Sequence, residues 1–146
     1  MARVLYIEDD TDSAEAMQTY LYSKGYECYW ELDVFHGLKT LLSTPIDIII
    51  LDLQLPEVSG YSFLKAIREL HIELPVIVVS AYITLDKEKE LKKLNPVEIF
   101  HKPISFKYVA VTIDQLLNKR EMNCDSYGSL FQQIIYESQN KSQREL

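Results

Sequence analysis

Glycine and cysteine are scarce in this chain: four glycines stand apart at positions 25, 37, 60 and 128, and two cysteines at 28 and 124. Without a cluster of glycines behind a strand there is no phosphate-cradling loop of the dinucleotide-binding kind. Cys28 and Cys124 form no CxxC spacing, which argues against a zinc or redox motif and leaves two ordinary reduced thiols. No stretch reaches the roughly 18 apolar residues of a membrane span, and the N-terminus lacks the apolar core of a signal peptide. The expectation is a cytoplasmic protein with no membrane insertion. Positive charge is also in short supply. Lys and Arg number 15 against 22 Asp and Glu, for a net charge of -7, whereas binding to a nucleic-acid backbone depends on clustered Lys and Arg. No direct nucleic-acid contact is expected, and a metal or protein partner suits the charge better. His36, His71 and His101 keep no spacing with a serine or cysteine that would make a catalytic triad.

What the chain does have is a repeated alternation of short β-branched runs and helical patterns. With 47% hydrophobic content, 146 residues can close one core but hardly two. The alternation reads as successive βα units around a parallel sheet. Arg3 to Ile7 is the first strand. The helix after it opens on Asp12 with Glu15 as a capping box, turns Ala14, Met17 and Leu21 inward, and stops near Gly25. A second strand runs from Tyr26 to Trp30. Val34, Phe35, Leu38, Leu41 and Leu42 then recur at helical spacing until Pro45. The third strand, Ile46 to Leu51, is apolar on both faces and so belongs at the centre of the sheet.

Gly60 opens a tight turn into a third helix with the apolar face Phe63, Leu64, Ile67 and Leu70. Pro75 leads into the apolar run Val76 to Val79. The segment Asp86 to Leu94 offers only Leu91 and Leu94 for burial, so its helix is expected to be weakly anchored and mobile. A fifth strand spans Val97 to Phe100. The helix behind it is better anchored, with Phe106, Val109, Ala110, Ile113, Leu116 and Leu117 on one stripe.

In an open parallel sheet, reactive groups lie beyond the carboxyl ends of the strands, where the connections change faces. Glu8 and Asp9 follow the first strand, Asp52 ends the third, Ser80 the fourth and Lys102 the fifth. At the tip of a buried strand, Asp52 is expected to be exposed and reactive. The collection suits magnesium-dependent phosphoryl transfer to a carboxylate, because hard oxygen ligands hold an ion that keeps several waters. Asp9 and Asp52 supply charge, Glu8 binds through water, and the Gln54 backbone carbonyl completes the protein's share. Lys102 balances charge opposite the metal, and the Ser80 hydroxyl donates to a phosphoryl oxygen.

Taken in order, Glu8-Asp9, Asp52 within Leu51-Asp52-Leu53-Gln54-Leu55-Pro56, Gly60, Ser80-Ala81 and Lys102-Pro103 resemble the response-regulator receiver domain of two-component signalling. The resemblance runs from about residue 2 to about residue 119. It implies an α/β fold, a (βα)5 doubly wound, flavodoxin-like parallel sheet with strand order 2-1-3-4-5. It also implies a phosphoryl group accepted on Asp52 from a histidine kinase or phosphotransfer protein, Mg2+ as the ion, and a cis Lys102–Pro103 bond. Such a protein is a signalling phosphoacceptor rather than an enzyme, and acts by phosphorylation-dependent binding to a downstream protein target that the sequence does not name. The alternative is a pseudo-receiver that scaffolds partners without phosphorylation. A phosphatase of the haloacid-dehalogenase type wants a second acid two residues after its nucleophile, where Gln54 stands.

Some positions depart from the family pattern. The switch position three residues before the lysine is usually aromatic and is Ile99 here, with Phe100 beside it on the other strand face. Activation is therefore expected to lean on the Ser80 loop and the fourth helix. Leu94-Asn95-Pro96 replaces the usual small pair before the last strand. Gln54 and Tyr82 are expected to flank the phosphoryl group and slow its loss by restricting the entry of water. Residues 1–120 read as the receiver and 121–146 as a tail without a separate output domain. In that tail Tyr127, Leu130, Phe131, Ile134 and Ile135 trace an amphipathic helix, with Ser129 and Gln132 as a capping box that Gly128 weakens. Such a helix either packs on its own domain or serves a dimer or target. Ile104, Tyr108 and Val111 on the fifth helix offer a surface for a homodimer.

Overall fold

Every expected βα unit is present in the computed structural model, which describes residues 1–124 together with residues 134, 137 and 138. The chain divides into two units, Met1–Ala110 and Val111–Leu146. The first holds strands β1 (Arg3–Ile7), β2 (Glu27–Glu31), β3 (Ile48–Asp52), β4 (Val76–Ser80) and β5 (Val97–His101). Between them lie helices α1 (Thr11–Ser23), α2 (Val34–Ser43), α3 (Gly60–Glu69) and α4 (Leu85–Lys92), and α5 (Phe106–Cys124) begins in the first unit and continues into the second.

All neighbouring strands are parallel, in the order β2-β1-β3-β4-β5. The chain steps from β1 outward to β2, then doubles back past β1 to β3, β4 and β5. Because parallel crossovers are right-handed, that reversal sends α1 to one face of the sheet and α2, α3 and α4 to the other. The core agrees with this winding. Leu5, Ile7, Ile49, Leu51, Val76 and Val78 share one cluster with Phe63, Leu64 and Ile67 of α3 and Leu91 of α4, while Val34, Leu38 and Leu41 of α2 pack against it. The alternate residues Val4, Tyr6, Ile48, Ile50, Ile77 and Val79 are buried on the opposite face. Strands β3 and β4 are buried at every position, as central strands of a two-faced sheet must be.

Several boundaries and faces differ from the sequence reading. Helix α1 is capped by Asp10, not Asp12: Asp10 Oδ1 accepts from the N–H groups of Asp12 and Ser13 at 3.1 and 3.4 Å, and Asp12 falls in the first turn. Strand β2 starts one residue later than expected and β3 two residues later, so that Asp52 is the last residue of its strand. Phe35 and Leu42 of α2 and Leu70 after α3 are exposed, because each sits at the edge of an apolar stripe wider than the face the sheet can cover. Gly60 is needed for space rather than for a left-handed backbone. A Cβ there would collide with the Asp52 carbonyl oxygen and lie 2.9 Å from Leu53 Cα. Gly25, by contrast, has φ +90° just after α1 and ends it as expected.

The short α4 has more anchorage than its composition suggests. Thr84 caps it, Leu91 is fully buried, and Lys87 Nζ sits 3.6 Å from the centre of the Tyr61 ring on α3. Both Lys102–Pro103 and Asn95–Pro96 are cis. In the second unit Ile113 is buried and Val111 exposed. Of the tail pattern, Ile134 alone is described, as a helical and exposed residue. Tyr127, Leu130, Phe131, Ile135 and the capping pair Ser129 and Gln132 lie outside the described residues.

Candidate functional site

Strand register gathers the acids. Ile7 of β1 pairs with Leu51 of β3, which brings Glu8 level with Asp52 at the carboxyl edge of the sheet. Ser80 is paired with His101, and the Lys102 N–H donates to the Ser80 carbonyl at 2.8 Å, so the lysine follows directly from the end of β5. From there Lys102 Nζ reaches Asp52 Oδ2 at 2.8 Å and Glu8 Oε1 at 3.3 Å. Asp52 Oδ1 accepts the Gln54 N–H at 2.9 Å.

Asp52 is buried, not exposed as its place at a strand tip suggests. Asp52 is 3% exposed and Glu8 1%, because α3 closes over the backbone of Asp52 at Gly60 and Lys102 lies across both carboxyl groups. Burial, reinforced by the neighbouring Asp52 carboxylate and opposed by Lys102, pushes the Glu8 carboxyl up to about 8. Burial works against the Lys102 ammonium too, yet its bonds to Asp52 and Glu8 and their charge outweigh that and hold it above its ordinary value. Below them the Tyr6 hydroxyl is raised by burial and by the charges of Glu8 and Asp52.

Glu8 Oε2 is buried with no hydrogen-bond partner. Such an oxygen is costly unless something positive meets it. Glu8, Asp9 and Asp52 each offer a carboxylate oxygen within 4.8 Å of the others, and Asp9 stands exposed at the mouth of the cluster. Hard oxygens, an orphaned buried acceptor and an opening to water fit a small divalent cation that keeps part of its hydration.

Ser80 is fully buried, and its hydroxyl is engaged elsewhere than toward Asp52. It donates to the Tyr82 carbonyl at 2.7 Å and accepts from Gln54 Nε2 at 2.9 Å. The Gln54 side chain also donates to the Tyr82 carbonyl at 3.3 Å, and its Oε1 accepts the Ala81 N–H at 3.4 Å. The sequence places Gln54 at the metal through its backbone carbonyl and, with Tyr82, beside the phosphoryl group; the clasp that its side chain makes between the loop after β3 and the loop after β4 is not foreseen there. The Tyr82 ring is 76% exposed. Ile99 and Phe100 are half-buried on β5. His101 is exposed, and His36 bonds Asp33, the cap of α2, at 2.8 Å.

The chain is similar to known proteins in sequence and in fold. The chain is 31% identical over 118 residues to the transcriptional regulatory protein QseB of Haemophilus influenzae, covering 81% of this chain and 53% of that one. It is 36% identical over 97 residues to the transcriptional regulatory protein DltR of Streptococcus agalactiae, covering 66% of this chain and 41% of the relative. The chain thus spans about half the length of the curated relatives it matches. Among solved structures, the receiver domain of Francisella response regulator 1452 superposes with a TM-score of 0.77 at 25% identity, covering 82% of this chain and 98% of that one. A CheY-like response regulator receiver domain protein from Methanospirillum hungatei gives 0.78 at 22% identity, with 84% and 98% covered, a likeness of fold. No helix among the described residues is long and apolar enough to cross a membrane. Residues 4–114 match the response regulator receiver domain, and the chain belongs to that family of two-component signalling domains.

Proposed function

We propose that Asp52 accepts a phosphoryl group, with Mg2+ held by Asp9, Asp52, the Gln54 backbone carbonyl and, through water, Glu8. The observation that carries this reading is the contact of Lys102 Nζ with Asp52 Oδ2 at 2.8 Å beside the partnerless Glu8 Oε2. One side of the buried carboxylate already has its cation, and the other side has acids waiting for one. When bound, the ion neutralises negative charge where the phosphoryl oxygens gather.

Transfer forms a bond between a carboxylate oxygen of Asp52 and phosphorus as the bond from phosphorus to the donor breaks. A phosphohistidine of a histidine kinase or phosphotransfer protein is the donor this reading assigns. Lys102 is pulled between Asp52 and Glu8, and follows the phosphoryl oxygens once Asp52 carries them. The Ser80 hydroxyl leaves the Tyr82 carbonyl and donates to a phosphoryl oxygen, which loosens the Gln54 clasp and shifts the loop leading into α4. That loop shift is the signal, read as altered affinity for a downstream protein.

The test compares wild type with Asp52→Asn in Mg2+ and beryllofluoride or a small phosphodonor. Wild type is expected to bind the analogue and to take up label in acid-stable, base-labile form. Asp52→Asn is expected to lose both. Undiminished binding or labelling in Asp52→Asn would overturn the assignment.

A further inference from the structure

Trp30 makes a hydrogen bond that lies outside the ladder of β2. Its indole Nε1–H donates to the backbone carbonyl of Glu8 at 2.8 Å. Trp30 is next to last in the strand and paired with Tyr6 of β1, so its ring reaches two residues forward along the neighbouring strand. The Glu8 N–H donates to the Glu31 carbonyl at 3.0 Å. Both backbone polar atoms of Glu8 are therefore held by β2, one residue past the end of β1. The holding strand is itself braced, since Thr40 of α2 donates to Glu31 Oε1 at 2.7 Å.

The Glu8 carbonyl belongs to the same planar peptide as the Asp9 nitrogen. Fixing that oxygen fixes the plane from which Asp9 departs. Asp9 is exposed, so its carboxylate takes its place from its backbone rather than from packing. An indole suits the task because it is a rigid ring with a single donor and no acceptor. Phenylalanine in its place would leave the carbonyl of an almost fully buried residue without its donor and let the Glu8–Asp9 peptide rotate.

We infer that Trp30 is a positioning residue for the cation site: its indole N–H sets the Glu8–Asp9 peptide so that both acids face Asp52. This rests on the reading of the acid cluster as a Mg2+ site. Groups that orient metal ligands typically carry about 10–100-fold of metal affinity when removed. Because Trp30 acts through the backbone, we expect the lower end, an increase of about tenfold in the dissociation constant.

The experiment is calorimetric titration of the unphosphorylated protein with Mg2+, alongside its melting temperature, for wild type, Trp30→Phe and Cys28→Ala. Cys28 lies at the far end of β2, so its truncation reports what general loosening of the strand does. Trp30→Phe is expected to bind Mg2+ about tenfold more weakly, and Cys28→Ala to melt earlier with unchanged Mg2+ affinity. Should Trp30→Phe not fold, Trp30→Leu removes the donor without bringing another and is titrated instead. Wild-type affinity in the Trp30 variant would overturn the inference whatever its stability, as would equal weakening in Cys28→Ala. A wild type that takes up no Mg2+ would remove the reading of the acid site and this inference together.

Discussion

Glu8 is held with one oxygen on Lys102 and the other against no donor, and burial beside Asp52 raises its carboxyl from 4.5 to about 8. The folded chain therefore keeps a proton that the unfolded chain gives up. A carboxyl with a raised folded value contributes stability that is fully present below pH 4.5 and lost as pH rises through about 8. In chelator, the melting temperature of wild type relative to Glu8→Gln is expected to fall across that window. At pH 8 and above Glu8→Gln should be the more stable protein. Calorimetric melting curves from pH 4 to pH 9 would show it, and two curves that run parallel throughout would exclude it. A charge that burial opposes in this way is one that a bound divalent cation would relieve.

Among the elements, α3 is the one whose position the site depends on most directly. Its first residue, Gly60, packs its Cα against the backbone of Asp52 and Leu53, and its N–H donates to the Leu53 carbonyl at 3.1 Å. Alanine there meets backbone on two residues, neither of which can move without shifting Asp52. Gly60→Ala is expected to cost about 1–3 kcal/mol in urea unfolding, the range of overpacked sites, and to weaken beryllofluoride binding in the same protein. Normal binding with normal stability would show that the helix start has room to give. The elements themselves are legible in the sequence where one physical signal dominates: β3 and β4 are apolar on both faces and could hardly be anything but central strands. Legibility fails where the outcome depends on a partner far along the chain. Asp52 reads as an exposed strand tip because nothing local says that Lys102, 50 residues away, will lie across it. The acids, Ser80 and Lys102 are readable because strand ends are readable. The Gln54 clasp and the Trp30 indole bond are not, since both need the strand order and the direction of a side chain across it. The capping-box spacing of Asp12 and Glu15 favours the wrong aspartate, because Asp10 caps the helix through the backbone of the turn, with no Glu or Gln three residues on.

Across the whole molecule the two ends of the sheet do different work. The carboxyl edge carries the acids and lysine, with an orphaned Glu8 oxygen and a Ser80 hydroxyl committed to the Tyr82 carbonyl. At the opposite edge one residue answers three backbone carbonyls. Arg68, near the end of α3, donates from Nε to the Leu94 carbonyl at 2.8 Å, from Nη1 to Ile72 at 2.6 Å and from Nη2 to Pro96 at 3.0 Å. Those carbonyls precede β5 and β4, and Pro96 also accepts the Val76 N–H that opens the pairing of those strands. Burial lowers the Arg68 guanidinium from its ordinary value, but an arginine remains charged in proteins. Its fork answers carbonyls on two loops at once, which a lysine ammonium cannot match. Arg68→Met keeps much of the side chain's length and removes all three donors, so it should cost about 2–4 kcal/mol in chemical denaturation, the sum expected for partly buried acceptors left without a charged donor. Because the site lies at the other edge, the surviving folded protein should bind Mg2+ and beryllofluoride as wild type does. Arg68→Lys should recover only part of the stability. A loss of Mg2+ affinity in Arg68→Met comparable to that in an acid-site variant would mean the two edges are coupled through β4 and β5, and that the separation of a rigid base from a responsive edge is wrong for this chain.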